Sequence, residues 1–374
     1  MNINASPDVF VTSDFPPDAG GIQRVTERLA ASGTQAGHDI FVIAPAADGD
    51  AAYDAAAPFR VVRYPRRGGI AKYLTIAYTV WRATRTIRPR SIVAMTWNPP
   101  ALALAPLRLL LRAPLTVLAH GTEIATQNGI LRRALLRLAL RGADVVANSG
   151  FTAGLLRERG ITRVRIVHPG ADRVDLGDAP RAEAPTILCA GRLIARKGYD
   201  RVIAAMPAVV ARIPGAQLIV VGDGPDRVRL EALAAESSAA EHIRFLGRVN
   251  DAVLAHAYAS AWCFAMPNRR DGNDVEGFGI VFLEAALHGL PAIGGRDSGA
   301  DDAIVDGVTG RLVDGESIGA VTDALIDVLG DRERALRMGA LARTRAQTTF
   351  TWERYAEQLL DNPTPAATAI GVAT

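Results

Sequence analysis

The sequence predicts an α/β protein with two parallel-sheet domains. Short apolar segments alternate with amphipathic ones along most of the 374 residues, the pattern of strand–helix–strand crossover units. A chain of this length exceeds what one hydrophobic core usually supports. A polar, aperiodic segment at residues 171–185 separates two such series. We interpret it as the linker between the domains.

In the first half, each predicted strand is followed by a helix or a loop. Strands are predicted at residues 9–13, 39–44, 59–64, 91–96, 115–119, 144–147 and 163–167. Helices are predicted at residues 22–35, 70–87, 100–111 and 130–141, and from Gly150. The Ala- and Asp-rich segment between the second and third strands has no regular period, which predicts irregular structure.

The second half repeats the alternation. Strands are predicted at residues 186–190, 217–221, 243–245 and 262–266, and the short segment 291–294 follows without an assigned structure. Helices are predicted at residues 200–212, 226–235, 252–259, 319–329, 332–346 and 351–360, with a short one ending at Gly289. A loop is predicted at residues 295–313. We expect an N-terminal domain over 1–172, a C-terminal domain over 173–350, a helix over 351–361 that returns to the N-terminal domain, and a flexible tail over 362–374.

Composition limits the possible classes. Hydrophobic content of 49% and charged content of 22% are typical of a soluble globular protein. No apolar run reaches the length of a membrane span, and the N-terminus lacks the pattern of a signal peptide, so we expect a cytoplasmic protein. Cys189 and Cys263 lie in apolar segments without metal-ligand spacing, which predicts buried free thiols.

Charge is distributed unevenly. Residues 1–180 contain 22 Lys and Arg against 14 Asp and Glu, a net charge of +8; the remainder has 42 − 22 = 20 against 39 − 14 = 25, a net charge of −5. The basic half permits contact with an anionic partner or membrane surface. In the helix at 130–141, Leu131, Leu135 and Leu138 follow one face and three arginines the other. That pattern has two interpretations. It fits a surface that meets anionic lipid or a polyprenyl diphosphate-linked acceptor, and it equally fits a core helix with solvated arginines.

The segment 273–289, NDVEGFGIVFLEAALHG, carries two glutamates eight residues apart, Glu276 and Glu284. This spacing excludes stacked neighbours on one helix, which would be three or four residues apart. One glutamate therefore precedes a helix and the other lies within it. Free N–H groups at such a helix start favour a phosphate or a hydroxylated ligand.

Two further loops carry residues suited to phosphate. In GRLIARKG, residues 191–198, Arg192 and Lys197 lie between a strand and a helix, where two cations neutralise a diphosphate or are simply solvated. GDGP, residues 222–225, follows the next strand and its glycines permit close backbone approach. No GxGxxG or P-loop motif follows the first strand, which disfavours dehydrogenase and P-loop functions.

Two sites of the first half also follow strands. His120 in AHGTE comes directly after the strand at 115–119, where active groups of parallel sheets collect. Gly20 and Gly21 lie between the first strand and the first helix, so their amides can approach a phosphate or an acceptor. Trp97, Asn98 and Pro99 end another strand and are candidates for an acceptor pocket or for ordinary loop packing.

Nine motifs occur in the order and approximate spacing of one enzyme family. They are FPPDAGGIQ, HGTE, NSGFT, HPGAD, GRLIARKG, VGDGP, FLGRV, VEGFGIVFLEAALHGLPAIGG and DAIVDGVTGRLV. Together they resemble the retaining glycosyltransferases of family 4, from Val9 to Tyr355. The resemblance implies two Rossmann-like domains that face each other across a deep cleft. It also implies a nucleotide sugar bound mainly by the second domain, and neither a metal nor another cofactor.

Carried over residue by residue, the resemblance assigns a role to each candidate. Glu276 contacts hydroxyls of the donor sugar, Glu284 binds the ribose, and Arg192 with Lys197 holds the diphosphate. The remaining matches are the backbone of Phe278, Gly279 and Ile280 beside sugar and phosphate, Gly20 and Gly21 over the donor, His120 near the sugar, and Arg248 with Val249 at the base.

The implied reaction is transfer of a hexose to a hydroxyl with retention at the anomeric carbon, by a same-face pathway. MPNRRDGNDVEGFGIVFLEA resembles the GDP-mannose-dependent subset, so GDP-mannose is the favoured donor, with UDP-glucose and UDP-N-acetylglucosamine as alternatives. Expected partners are a glycan, lipid-linked or small-molecule acceptor and an anionic membrane, without nucleic acid. A nucleotide-sugar epimerase, a phosphorylase and a binding protein without turnover are the competing interpretations.

Overall fold

The computed structural model describes residues 6–85, 87–126, 129–174 and 181–361. Contacts divide the chain into an N-terminal unit, Met1–Pro169 with Trp352–Thr374, and a C-terminal unit, Gly170–Thr351. The sequence places these boundaries at 172 and 350. The predicted tail, 362–374, and residues 175–180 of the predicted linker lie outside the described residues.

The N-terminal unit is built on a parallel sheet of seven strands. They are β1 (Asp8–Val11), β2 (Ile40–Pro45), β3 (Arg60–Tyr64), β4 (Ser91–Ala94), β5 (Leu115–Ala119), β6 (Asp144–Ala147) and β7 (Arg165–Ile166). Their spatial order is β3-β2-β1-β4-β5-β6-β7. Strands β1, β2, β4 and β5 are buried along their whole length, which explains why they read as continuous apolar runs rather than as alternating patterns.

In the described part of the N-terminal unit, eight α-helices precede the linker and one follows the C-terminal unit. They are α1 (Gly21–Gln35), α2 (Asp50–Ala56), α3 (Gly69–Thr84), α4 (Leu102–Leu104), α5 (Arg108–Leu111), α6 (Thr122–Ala125), α7 (Ile130–Leu140), α8 (Gly150–Glu158) and α16 (Trp352–Leu360). Helix α16 packs on α1. Arg90 donates to the Leu360 carbonyl at 3.2 Å, and His38 Nε2 lies 3.2 Å from Asp361, which fixes the end of α16 to this unit.

The C-terminal unit has a six-stranded parallel sheet. The strands are β8 (Thr186–Ala190), β9 (Gln217–Val221), β10 (Ile243–Gly247), β11 (Cys263–Met266), β12 (Ala292–Gly295) and β13 (Gly310–Val313). Their order is β10-β9-β8-β11-β12-β13. In sequence terms this is 3-2-1-4-5-6, the Rossmann order, which reverses direction between its first and fourth strands. The predicted α/β class with Rossmann-like domains is confirmed.

The helices of the C-terminal unit cover both faces of its sheet. They are α9 (Tyr199–Arg212), α10 (Arg227–Ala235), α11 (Asp251–Ser260), α12 (Ile280–Leu287), α13 (Ala300–Ala303), α14 (Ile318–Leu329) and α15 (Arg332–Thr349). Side chains of Asn250, Ser317 and Asp331 accept from backbone N–H groups and start α11, α14 and α15.

Three predictions of local structure are wrong. The segment 295–313 is not a loop throughout, because it contains α13 and the edge strand β13, whose Gly310 lies against the backbone of Ala292. The helix predicted at 100–111 is broken into short pieces around Pro106, because proline cannot donate a backbone N–H. The segment predicted as irregular contains α2.

Helix α7 buries a different face from the one that its leucines predict. Leu136, Ala139 and Leu140 are buried, whereas Leu131 is 72% exposed and Leu138 is 51% exposed. The core-helix interpretation is therefore wrong for Leu131 and Leu138. A helical period shows that one face is apolar, but it does not show which face a neighbour covers.

Both cysteines are buried free thiols, which confirms that prediction. Burial raises the pKa of each thiol, so neither is ionised near neutral pH. Among residues 6–361, apart from the undescribed gaps, no helix is long and apolar enough to cross a membrane.

Candidate active site

The sheet of the C-terminal unit determines where its polar side chains meet. Strands β8 and β11 are neighbours, and the chain winds away from them in opposite directions. The loops at the carboxyl ends of two such strands leave a crevice, the usual ligand position in this kind of sheet. The loop after β8 carries Arg196 and Lys197, and the loop after β11 carries Glu276. The structure brings these three side chains together.

Glu276 is the centre of this cluster. Its Oε2 lies 2.9 Å from Lys197 Nζ and accepts a second hydrogen bond from Arg196 Nη1. The Glu276 side chain is 11% exposed and that of Lys197 is 9% exposed. Burial alone raises the pKa of the carboxyl, but Lys197 and Arg196 outweigh it and hold the pKa below its usual range. Glu276 is therefore an ionised acceptor.

Arg196 is a site residue that the sequence did not identify. Besides Glu276, it contacts Asp274, with Nε 3.0 Å from Oδ1. Burial lowers the pKa of its guanidinium, but the two carboxylates raise it further, so the net shift is upward. The Arg196 carbonyl accepts from the Arg269 backbone at 2.8 Å. These contacts join the loop after β8 to the one after β11.

Arg269 fixes the beginning of the second loop. Its guanidinium donates to both carboxylate oxygens of the buried Asp200, at 2.8 and 3.0 Å. Bidentate pairs of this kind hold a loop in one orientation better than a single hydrogen bond does. Asp271 and Asp274 then pair through their backbones across a tight turn. The loop therefore reaches Glu276 with both of its ends held.

The segment after Glu276 brings backbone close to the same place. Gly279 has φ of 82°, and a side chain there would meet Phe282 at 2.7 Å, so glycine is required before α12. Phe278 is buried and packs edge-on against Phe350. Gly299, which sequence reasoning missed, donates to the Glu276 carbonyl at 3.0 Å and leaves no room for a Cβ. Ile280 begins α12.

Glu284 lies in the second turn of α12, so one glutamate precedes the helix and one lies inside it, as the spacing predicts. Its Oε2 accepts from the Tyr258 hydroxyl at 3.2 Å. The Tyr258 ring stacks on His288, whose Nδ1 donates to the Glu284 carbonyl at 2.8 Å. Aromatic contacts with Tyr258 and His288 thus help to position Glu284.

A cavity of about 510 Å³ lies over the loops that follow β8, β9 and β10. Its lining consists of Gly191, Arg192, Gly222, Asp223, Gly224, Pro225 and Arg248. Among the described residues, neither Arg192 nor Arg248 has an ion-pair or hydrogen-bond partner, so both are available to an anionic ligand. Val249 packs against the core beside it and does not line the cavity.

Glycine is required where two loops of this cavity meet. Gly222 has φ of 131°, and a Cβ there would lie 1.9 Å from the Gly191 carbonyl oxygen. A Cβ at Gly224 would lie 2.3 Å from the Leu193 carbonyl oxygen. The GDGP turn is therefore pressed against the loop that carries Arg192 and Lys197. Lys197 faces Glu276, whereas Arg192 lines the cavity with Arg248.

His120 and the early glycines belong to the N-terminal unit. His120 follows β5, where the sequence places it, and its Nε2 donates to the Met95 carbonyl at 2.7 Å. Its backbone N–H donates to Glu123. Gly20 precedes α1 and Gly21 begins it, and both are exposed. Asn98 accepts from the Tyr73 hydroxyl at 2.7 Å.

Family models match both parts of the chain. Residues 19–174 match the model described as Glycosyltransferase Family 4, and residues 178–345 match that of Glycosyl transferases group 1. A mannosyltransferase of Mycobacterium tuberculosis, described as a GDP-mannose-dependent alpha-(1-6)-phosphatidylinositol monomannoside mannosyltransferase, is 35% identical over 94% of this chain and 97% of its own. The chain belongs to the family 4 glycosyltransferases.

Other relatives extend the comparison for this glycosyltransferase. A protein of the same description from Mycolicibacterium smegmatis is 33% identical over 94% of this chain and 97% of that one. Among solved structures, sucrose-phosphate synthase from Thermosynechococcus elongatus has a TM-score of 0.79 at 22% identity, covering 94% of this chain and 97% of its own. WaaG, a glycosyltransferase of lipopolysaccharide biosynthesis, has a TM-score of 0.70 at 20% identity, covering 95% and 100%. These structures support the two-domain glycosyltransferase fold.

Proposed function

We propose that this glycosyltransferase transfers mannose from GDP-mannose, with retention, to a hydroxyl of a phosphatidylinositol mannoside. The Glu276–Lys197–Arg196 cluster at the reversal point of the C-terminal sheet carries the proposal, because it combines an ionised acceptor with two cations. Support for the donor and acceptor comes from the descriptions of relatives that are 33–35% identical over 94% of the chain.

Glu276 suits recognition of a sugar. An ionised carboxylate accepts strong hydrogen bonds from hydroxyl groups, and its lowered pKa keeps it ionised at neutral pH. Glu276 binds hydroxyls of the mannosyl group, and Glu284, held by Tyr258, binds the ribose. Gly279 and Ile280 offer their backbone to the sugar and phosphate at the start of α12.

The leaving group develops negative charge as the glycosidic bond breaks. Fixed positive groups that face such a charge stabilise the transition state more than the ground state. Arg192 lies in the cavity with Arg248, and Lys197 lies beside the sugar-binding carboxylate. Arg192 and Lys197 therefore take the diphosphate, without a metal, and Arg248 is next to the base.

The proposed retention uses a same-face pathway rather than a double displacement. A double displacement needs a carboxylate nucleophile, but Glu276 is occupied by two cations that reduce its nucleophilicity. Attack by the acceptor on the face that the diphosphate leaves is the alternative, and the departing phosphate oxygen takes the acceptor proton. His120 helps to position the sugar.

The test is a donor and acceptor screen. GDP-mannose, UDP-glucose and UDP-N-acetylglucosamine are each incubated with phosphatidylinositol monomannoside or with phosphatidylinositol, and nucleoside diphosphate release and product linkage are measured. We expect turnover with GDP-mannose and the monomannoside, with an α-linked product and no loss of rate in EDTA. Preference for a UDP-sugar, or a β-linked product, contradicts the proposal; absence of any donor-induced thermal shift contradicts it entirely.

A second observation supports contact of the N-terminal unit with an anionic membrane. Residues 55–143 contain 14 Arg and one Lys but a single carboxylate, Glu123. Large apolar side chains of the same region are exposed, namely Ile70, Leu74, Tyr78, Leu109, Leu110, Ile130, Leu131 and Leu138. Helices α3 and α7 both pack on α4, and Arg108 of α5 donates to the Ala139 carbonyl of α7 at 2.6 Å. Neighbouring helices thus expose apolar and cationic groups together, as interfacial proteins do.

Co-sedimentation with vesicles tests this contact. We expect binding to vesicles that contain phosphatidylglycerol and weak binding to pure phosphatidylcholine vesicles, with the difference reduced at high salt. Leu109→Ser with Ile130→Ser is expected to weaken binding, whereas Val228→Ser, an exposed valine of the C-terminal unit, serves as the control. Equal binding of all variants would exclude this face as the contact.

A further inference from the structure

A second cavity, of about 820 Å³, lies within the N-terminal unit between the edge of its sheet and α3. This volume is in the range of small-molecule sites, roughly 300–1,000 Å³. Phe41 of β2 and Val62 of the edge strand β3 form apolar parts of its wall, and Leu74 and Tyr78 of α3 face them. Leu74 and Tyr78 are themselves exposed, so the cavity opens to solvent on its apolar side.

The rim of this groove is positive. Four arginines line it, of which Arg60 is paired with Asp39 and Arg63 with Asp54. Arg67 and Arg82 have no ion-pair or hydrogen-bond partner among the described residues. Helix α3 contains neither Asp nor Glu. The groove therefore combines an apolar wall with two uncompensated cations.

A ligand complementary to this groove has an apolar chain and an anionic group at one end. A small anion alone would leave Leu74 and Tyr78 exposed to water. An uncharged apolar chain would leave Arg67 and Arg82 without an anionic partner. We propose that the groove holds one acyl chain of an anionic glycerophospholipid, whose phosphate lies at Arg67 and Arg82. The proposal rests on the proposed membrane contact and specifies the lipid that makes it.

Monomeric short-chain lipids test the groove without a bilayer. Dihexanoyl phosphatidylglycerol, kept below its micelle concentration, is titrated into the full-length protein and followed by calorimetry. Dihexanoyl phosphatidylcholine tests the need for net negative charge, and inorganic phosphate tests the need for the chain. We expect the phosphatidylglycerol to bind at least ten times more tightly than either; absence of its binding, or equal binding of phosphate alone, overturns the proposal.

Paired variants locate the binding. Ala83→Trp fills the groove, whereas Ala71→Trp places the same side chain on α3 at a position that does not line it. Arg82→Gln removes one cation of the rim, and Arg133→Gln removes an exposed arginine of α7 outside the groove. We expect Ala83→Trp and Arg82→Gln to weaken phosphatidylglycerol binding at least ten-fold, and the two controls to leave it within two-fold. Unchanged binding to Arg82→Gln, which alters only an exposed side chain, contradicts the assignment even if Ala83→Trp does not fold.

The proposed reaction is scored separately. The thermal shift with GDP-mannose is recorded for every variant, because the cluster of Glu276, Lys197 and Arg196 belongs to the C-terminal unit and none of the variants alters it. Failure of the proposed transfer shows as no donor shift in the unaltered protein, whereas failure of the groove shows as lost lipid selectivity with the donor shift intact.

Discussion

Lys197 Nζ and Glu276 Oε2 lie 2.9 Å apart, although their loops follow different strands of the C-terminal sheet. The pair is buried, and Arg196 shares the same carboxylate oxygen. The Glu276 carboxylate therefore has two cationic partners before any ligand enters the site.

Replacement of Lys197 by alanine is expected to lower kcat by roughly 10²- to 10³-fold, the usual effect of removing one group that stabilises developing charge. Arg196 remains to neutralise Glu276, so the fold is retained. GDP release from GDP-mannose measures turnover, and circular dichroism checks the fold. Arg212→Ala, an exposed cation of the same unit, is the control. Turnover near that of the unaltered enzyme would contradict the role of Lys197.

The contribution of Glu276 to stability depends on pH. Its pKa in the folded protein lies below the ordinary value of 4.5, so ionisation of Glu276 stabilises the fold above pH 4.5, and this stability is lost as pH falls through the lower native pKa. Glu276→Gln does not titrate. We therefore expect the difference in melting temperature between the enzyme and Glu276→Gln to shrink from neutral to acidic pH.

The exposed Glu236→Gln provides the comparison for that measurement. The difference in melting temperature between Glu236→Gln and the unaltered enzyme should vary less with pH. If the difference in melting temperature between the enzyme and Glu276→Gln is constant with pH, or grows in acid, the two cations do not stabilise the carboxylate.

Replacement of Arg248 by alanine is expected to raise KM for the donor by roughly ten-fold with a smaller effect on kcat, because the residue binds ground state and transition state alike. Arg248, directly after β10, lines the cavity, whereas the exposed Arg244 within β10 does not. Steady-state kinetics at saturating acceptor separate the two parameters. An equal effect of Arg244→Ala would argue against a site in this cavity.

Gly222→Ala is expected to destabilise the protein by more than about 1 kcal/mol and to weaken donor binding. Its φ of 131° is unfavourable for alanine, and its Cβ would overlap the Gly191 carbonyl. Gly307→Ala introduces positive-φ strain, at 74°, where no atom lies within 4 Å. Chemical denaturation and donor thermal shift compare the two variants. If both substitutions lower the free energy of unfolding by the same amount, the close approach of the two loops is unimportant for stability.

The sequence predicted most of the sheet architecture because buried parallel strands are continuous apolar runs. It did not predict β13, which is only four residues long, begins with Gly310 and lies at the sheet edge. β13 is a strand because it forms hydrogen bonds with β12, and this pairing cannot be read from the residues of β13 alone.

The site was predicted in part. The resemblance places Glu276, Lys197 and Arg192 at one nucleotide-sugar site, but it does not predict the contact of Lys197 with Glu276. ARK in the loop after β8 forms a 3-10 turn whose side-chain directions depend on tertiary contacts. Arg196 is the neighbour of Lys197 in sequence and reaches the same carboxylate. Spacing alone does not distinguish that arginine from a solvated one.

The ion pair between Glu276 and Lys197 has a consequence for the end of each reaction cycle. A carboxylate already within hydrogen-bond distance of the lysine competes with any diphosphate for the same ammonium group. In the proposed reaction, Glu276 returns to Lys197 once the sugar has left and replaces the product there. We expect this internal anion to favour departure of the nucleoside diphosphate and to limit product inhibition.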